Sequence, residues 1–83
     1  MDQEIKGILS DLFFGGDLEI PIDRHTDLLG DGICDSLGLV QLAGQLERRF
    51  PGLRIQDQDI TQDNLGTIEL IASFVRRKTG DES

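Results

Sequence analysis

The sequence predicts an all-α fold: a small bundle of three main helices plus one short helix, with a long loop between the first and second helices. Three observations predict it. Apolar residues recur at helical spacing in three stretches, and none of the chain shows sustained period-two alternation. Glycine and proline stand at the ends of these stretches, as Gly15-Gly16 and Pro51-Gly52. The chain has 83 residues, which suffices for one small core but leaves little room for a deep substrate cleft.

The first helix is expected over residues 3–14, where Ile5, Ile8, Leu9, Leu12 and Phe13 fall on one face. Gly15 and Gly16 stop it. The connection over residues 15–35 holds Pro21 and a series of aspartates. A loop this long in a small domain must anchor itself, and Ile20, Ile22, Leu28, Leu29 and Ile33 are the candidate anchors, with room for a short helical turn. The second helix is expected from Ser36 to Arg49, capped by Asp35, whose carboxylate suits the unpaired first-turn amides. Leu39, Leu42, Ala43, Leu46 and Phe50 form its inward stripe, and Pro51-Gly52 close it.

Leu53 and Ile55 lie in the following connection, and "DITQDNLG" reads as a short helical turn capped by Thr61. The last helix starts at Thr67, its N-cap, with Glu69 near the positive end of the dipole and Arg76, Arg77 and Lys78 near the negative end. Ile68, Ile71, Ala72 and Val75 mark its buried face. Residues 1–83 thus read as a single domain, structured over about 3–78, with residues 79–83 frayed.

Composition narrows the functional classes. Hydrophobic residues make up 37%, with four Phe and no Trp or Tyr, a lean core but not the composition of a disordered chain. Sixteen acidic against eight basic residues leave a net charge of −8. A phosphate backbone would repel such a surface, so nucleic acid is excluded as a partner and basic protein surfaces are favoured. The lone cysteine, Cys34, forbids an internal disulfide, the opening "MDQEIKG" lacks the apolar run of a signal peptide, and no apolar stretch is long enough to span a bilayer. A cytoplasmic monomer with no membrane insertion is the expectation.

The candidate for chemistry is Ser36, at the junction of an acidic loop and a helix in "GDGICDSLGL". A catalytic serine needs a base and an oxyanion site. The only histidine is His25, eleven residues upstream, and the G-x-S-x-G elbow is absent. The residue is therefore either an ordinary polar residue of a first helical turn or an exposed hydroxyl that another enzyme modifies, and no catalytic residue is assigned.

Cys34 has aspartates beside it and no nearby cation to favour its thiolate, so it reads as a small apolar plug. Asp27, Asp31 and Gly32 fit the first, fifth and sixth positions of a calcium loop, but Leu29 and Gly38 fail the third and twelfth, so no metal is assigned. Leu37, Val40 and Gly44 form a second apolar row on the second helix. That row is either minor core or an exposed docking surface.

In "GDGICDSLGLVQLAGQLERRF" the triplet Asp35-Ser36-Leu37 at a helix start resembles the signature of carrier proteins that hold acyl or aminoacyl groups on a 4′-phosphopantetheine arm. The resemblance covers nearly the whole chain in helix order, length and acidity. It implies an acyl carrier protein-like fold in which a phosphopantetheinyl transferase attaches the arm from coenzyme A to Ser36. Cargo is then held as a thioester and presented to partner enzymes by a domain that catalyses nothing. It also implies that the inward stripe parts to shelter apolar cargo. Asp35 would help position the transferase, and Leu37, Val40 and Gly44 would contact partners.

"LLGDGICDSLGLVQL" and "ITQDNLGTIELI" look most like D-alanyl carriers and prolyl-type peptidyl carriers. An adenylating ligase or acyltransferase would load the cargo, for secondary metabolism or aminoacyl transfer. Fatty-acid carriers usually show an acidic second helix, whereas Gln41, Glu47, Arg48 and Arg49 make this one nearly charge-balanced. A fatty-acid or polyketide-type carrier, or an unmodified acidic helical adaptor, is the alternative.

Overall fold

The first apolar stretch forms α1, Asp2–Phe13, in the computed structural model of the chain, which describes residues 1–16 and 22–80. Ile5, Ile8 and Leu9 are buried, and Asp2 and Glu4 occupy the first turn, where the helix dipole favours negative charge. The helix ends because Gly15 and Gly16 take positive φ angles of 63° and 86°, which their lack of Cβ permits. The N–H groups of Phe14 and Gly16 both donate to the Ser10 carbonyl, satisfying an orphaned acceptor of the last turn.

The second helix, α2, spans Ser36–Arg49 as the sequence predicts. Asp35 is extended, and its Oδ1 accepts the Gly38 N–H at 2.7 Å. Leu39, Leu42, Ala43 and Leu46 are buried, and Phe50 is half-buried against the same core. The Phe50 N–H still donates to Leu46, after which the chain turns through Pro51 and Gly52.

Past Leu53, which is buried, a 3₁₀ turn over Asp57–Asp59 precedes the short helix α3, Gln62–Leu65. The 3₁₀ turn was not anticipated. It is held by a reciprocal box in which Gln56 N–H donates to Asp59 Oδ2 at 3.1 Å while the Gln56 side chain accepts in return. Thr61 caps α3 through the Asn64 N–H, and Thr67 caps the last helix, α4, Ile68–Thr79, through the Leu70 N–H at 3.1 Å. Its buried face holds Ile68, Ile71, Ala72 and Val75 as expected, and Phe74 in addition. The helix runs through Thr79 and closes on Gly80, whose φ is 74°; residues 81–83 lie outside the described part of the chain.

The first helix packs against both α2 and α4, and α3 packs on α4. The core lies between them, with Ile5, Leu9, Leu42, Leu46, Leu65, Ile71 and Val75 fully buried. α1 and α2 run antiparallel, since Phe13 at the end of α1 meets Gly38 at the start of α2.

The described part of the long loop, residues 22–35, holds hydrogen-bonded turns, one of them of helical type, in which the Asp31 N–H donates to the Asp27 carbonyl at 2.9 Å. Leu28 anchors the loop. It is fully buried, its N–H donates to the Gly66 carbonyl at 2.8 Å, and its own carbonyl accepts from both Ile33 and Cys34. Those bonds leave its backbone committed to α3 and to the loop itself. Ile22 is also buried, Leu29 and Ile33 pack partly against the core, and Ile20 and Pro21 fall outside the described residues.

Candidate functional site at the start of α2

Everything around Ser36 follows from how the loop reaches α2. Asp27 Oδ1 accepts the Gly30 N–H at 2.9 Å and the Gln62 side chain at 3.1 Å, so the loop is tied to α3 as well as folded on itself. Glu69 N–H donates to the Arg24 carbonyl at 3.0 Å, a further tie to α4. The chain therefore enters α2 along a fixed path, and Asp35 and Ser36 stand exposed at its first turn. Among the described residues, the Ser36 hydroxyl has no hydrogen-bond partner.

A groove of about 570 Å³ opens beside Ser36, between the end of α1, the loop and the first turn of α2. Phe13, Leu29, Ile33, Cys34 and Leu37 give it apolar walls. Gly38 makes this packing possible. A Cβ there would stand 2.8 Å from Cys34 Cβ and 3.1 Å from the Phe13 ring, closer than side chains tolerate. The sequence pattern of Phe13, Leu29 and Ile33 points only to core and anchoring roles. A glycine inside a helix, which costs about 1 kcal/mol relative to alanine, was the available signal that something packs closely there.

His25 is at the surface, with Nδ1 3.4 Å from Glu69 Oε2, and does not line this groove. Cys34 lines the groove but is only 7% exposed, and burial pushes its thiol above the ordinary range, with Asp35 and Asp27 adding to the effect. Its burial agrees with the small apolar plug that its surroundings in the sequence suggest. Of the calcium-loop candidates, Asp27 has its carboxylate engaged by Gly30 and Gln62. Among the described residues, no three His, Cys, Asp or Glu converge to hold a metal ion, and no helix is long and apolar enough to cross a membrane.

The second apolar row of α2 lies on the outside. Leu37 is 66% exposed and Val40 51%, and a Cβ added at Gly44 would meet nothing within 4 Å. The row is therefore surface rather than minor core. The inward stripe is closed, with Leu42 and Leu46 fully buried, so the groove beside Ser36 is formed by other residues than that stripe.

The arrangement offers an accessible hydroxyl oxygen that, among the described residues, no base is bonded to, beside a groove of mixed apolar and polar lining. It is suited to receiving a group that another enzyme delivers. Comparison with known families agrees in kind: the family model described as "Phosphopantetheine attachment site" matches residues 7–75. No curated protein and no solved structure matches the chain.

Proposed function

The chain belongs to the phosphopantetheine attachment-site family, and from that premise we propose that residues 1–83 form one carrier domain with Ser36 as its attachment residue. The family's prosthetic group is covalent 4′-phosphopantetheine. The observation that carries the assignment to Ser36 is its exposed hydroxyl, unpartnered among the described residues, at the first turn of α2. The residues around it fit the group. Ser36 offers the ester oxygen, and the open groove beside it, with Phe13, Leu29, Ile33 and Leu37 as apolar walls and Asp35 and Gln41 as polar ones, suits an arm that mixes methylenes with amides.

In the attachment step Ser36 Oγ forms the bond to phosphorus and loses its proton to the transferase. The pyrophosphate linkage of coenzyme A breaks, and the adenosine bisphosphate half departs. Once attached, the group supplies a terminal thiol on which acyl or aminoacyl cargo is carried as a thioester. Asp35 holds the first turn in place by accepting the Gly38 N–H, so that Ser36 is presented in a fixed orientation. The domain itself performs no chemistry on the cargo. A tether of this kind raises the cargo's effective concentration in each partner's active site.

The sequence signatures shared with D-alanyl and prolyl-type peptidyl carriers, and the charge-balanced α2, support an aminoacyl cargo over a fatty-acyl one. An adenylating ligase is then the loading enzyme and the cytoplasm the setting. Incubation with coenzyme A and a broad-specificity phosphopantetheinyl transferase, followed by intact mass, tests the reading. The wild-type chain gains the mass of one arm and the Ser36→Ala chain gains none. An unaltered wild-type mass would leave an unmodified adaptor as the better description.

A further inference from the structure

Two glycines far apart in the chain are kept bare by the same contact. Neither Gly30 nor Gly66 has a positive φ, so backbone conformation does not demand them. Space does. A Cβ at Gly30 would run into the Asp27 carboxylate, 2.7 Å from its Cγ, and a Cβ at Gly66 would run into the Gln62 carbonyl oxygen, 2.8 Å from Gln62 Cγ. Between these glycines the Gln62 side-chain amide donates to both Asp27 oxygens, at 3.1 and 3.2 Å. Leu28 carries the contact onward. Its N–H donates to the Gly66 carbonyl at 2.8 Å, and its carbonyl accepts from Ile33 at 3.0 Å and Cys34 at 3.1 Å. Cys34 adjoins Asp35, whose Oδ1 holds the first turn of α2 through Gly38. A run of contacts thus joins α3 to Ser36, although Gln62 and Gly66 do not line the groove beside it.

We propose that Gln62 is a positioning residue for arm attachment: by holding Asp27, it keeps the loop in the conformation that presents Ser36 to the transferase. This rests on the carrier reading and adds to it a residue of another helix. Attack on phosphorus requires a narrow approach geometry, and the Ser36 hydroxyl has no partner among the described residues to orient it. Its orientation therefore comes from the backbone that leads into α2. The carrier is the transferase's substrate, so a loop that also samples other conformations lowers the fraction of chains able to bind productively. That loss raises the apparent KM in inverse proportion to the fraction and leaves kcat, a property of bound chains, unchanged. Gln62 is exposed and Asp27 half-buried, so the effect is graded rather than all-or-none.

Steady-state kinetics of arm attachment test the role, with the full chain as the varied substrate, coenzyme A and a broad-specificity phosphopantetheinyl transferase. Gln62→Lys keeps a donor for Asp27, Gln62→Ala removes it, and Gln62→Glu sets a second carboxylate against it. The apparent KM is expected to stay within about twofold of wild type for lysine, and to rise about threefold for alanine and about tenfold for glutamate, with kcat within about twofold throughout. Gly30→Ala forces Asp27 from the same contact without changing the charge, and should raise KM as Gln62→Ala does. Amide hydrogen exchange at Ile33 and Cys34, whose N–H groups bond to Leu28, should quicken in the order lysine, alanine, glutamate. A residue that only stabilises the fold would shift the urea midpoint and leave KM alone. The role is overturned if the variants share the wild-type KM, or if exchange at Ile33 and Cys34 is unchanged in Gln62→Glu, since any rise in KM would then be a direct contact with the transferase. A wild-type chain that takes no arm removes the carrier reading and this role with it. A wild-type chain that takes the arm, with variants that match it, removes this role alone.

Discussion

The two faces of α2 are built from the same kinds of residue and end in opposite environments. Leu39, Leu42, Ala43 and Leu46 are no more than 5% exposed, while Leu37 and Val40, one or two positions away, are 66% and 51% exposed. Intrinsic hydrophobicity does not separate them. Angular position does: at 100° per residue the inner four point at α1 and the core, while the outer pair is turned toward solvent, Leu37 at the rim of the groove beside Ser36. The inner face is what the fold consumes. The outer face is apolar surface that folding leaves in water, and its adjacency to Ser36 makes it available for recognition. The fold thus rests on one side of the helix, and the other side is left for the recognition role proposed for it, so substitutions on the two sides should separate accordingly.

The comparison is tested most severely by Leu42→Ala. Leu42 is fully buried, and its truncation should cost about 2–5 kcal/mol through lost transfer energy and the cavity left behind. A urea unfolding midpoint that barely moves would mean the inner face is not the core. Gly38→Ala comes next, at the boundary between the faces. The added methyl gains helix propensity but enters the space held by Cys34 and the Phe13 ring. Overpacking of about 1–3 kcal/mol should exceed the propensity gain of about 1 kcal/mol, giving a net loss. A stabilised variant would show that the groove wall yields freely.

Asp35→Ala removes the cap accepted by Gly38 N–H and should cost about 1 kcal/mol, read in the same denaturation assay. It should also slow arm attachment, because the first turn that presents Ser36 frays. The smallest effect belongs to the outer face. Leu37→Ala and Val40→Ala should each leave stability within about 0.5 kcal/mol while lowering the rate of cargo loading by the loading enzyme. A large loss of stability from either would place them in the core and dissolve the distinction between the faces.

Much of this was legible beforehand because it depends on neighbours in the chain. The bounds of α2 follow from Asp35 before it and Pro51-Gly52 after it, and the caps at Thr61 and Thr67 are equally local. The 3₁₀ turn at Asp57–Asp59 is not legible in the sequence although its reciprocal box, Gln56 with Asp59, is also local. Gln is an unusual cap, and polar residues three apart are common in any connection. What fixes the loop on the body of the molecule lies elsewhere in the chain, namely the bond from Leu28 N–H to the Gly66 carbonyl.

By itself, the sequence determined the helical class, the order and limits of the main helices, the family signature at Asp35-Ser36-Leu37 and the burial of the inward stripes. All of these rest on interactions within a turn or two of the chain, where the periodicity of a helix and the chemistry of a cap leave few alternatives. Only the tertiary structure decided that Leu37, Val40 and Gly44 face solvent, that Phe13 meets Gly38 to wall a groove beside Ser36, and that the loop is tied through Leu28 and Asp27 to α3. Those facts depend on which side of each helix another element covers. Residues far apart in sequence settle that question, and no local pattern records their meeting.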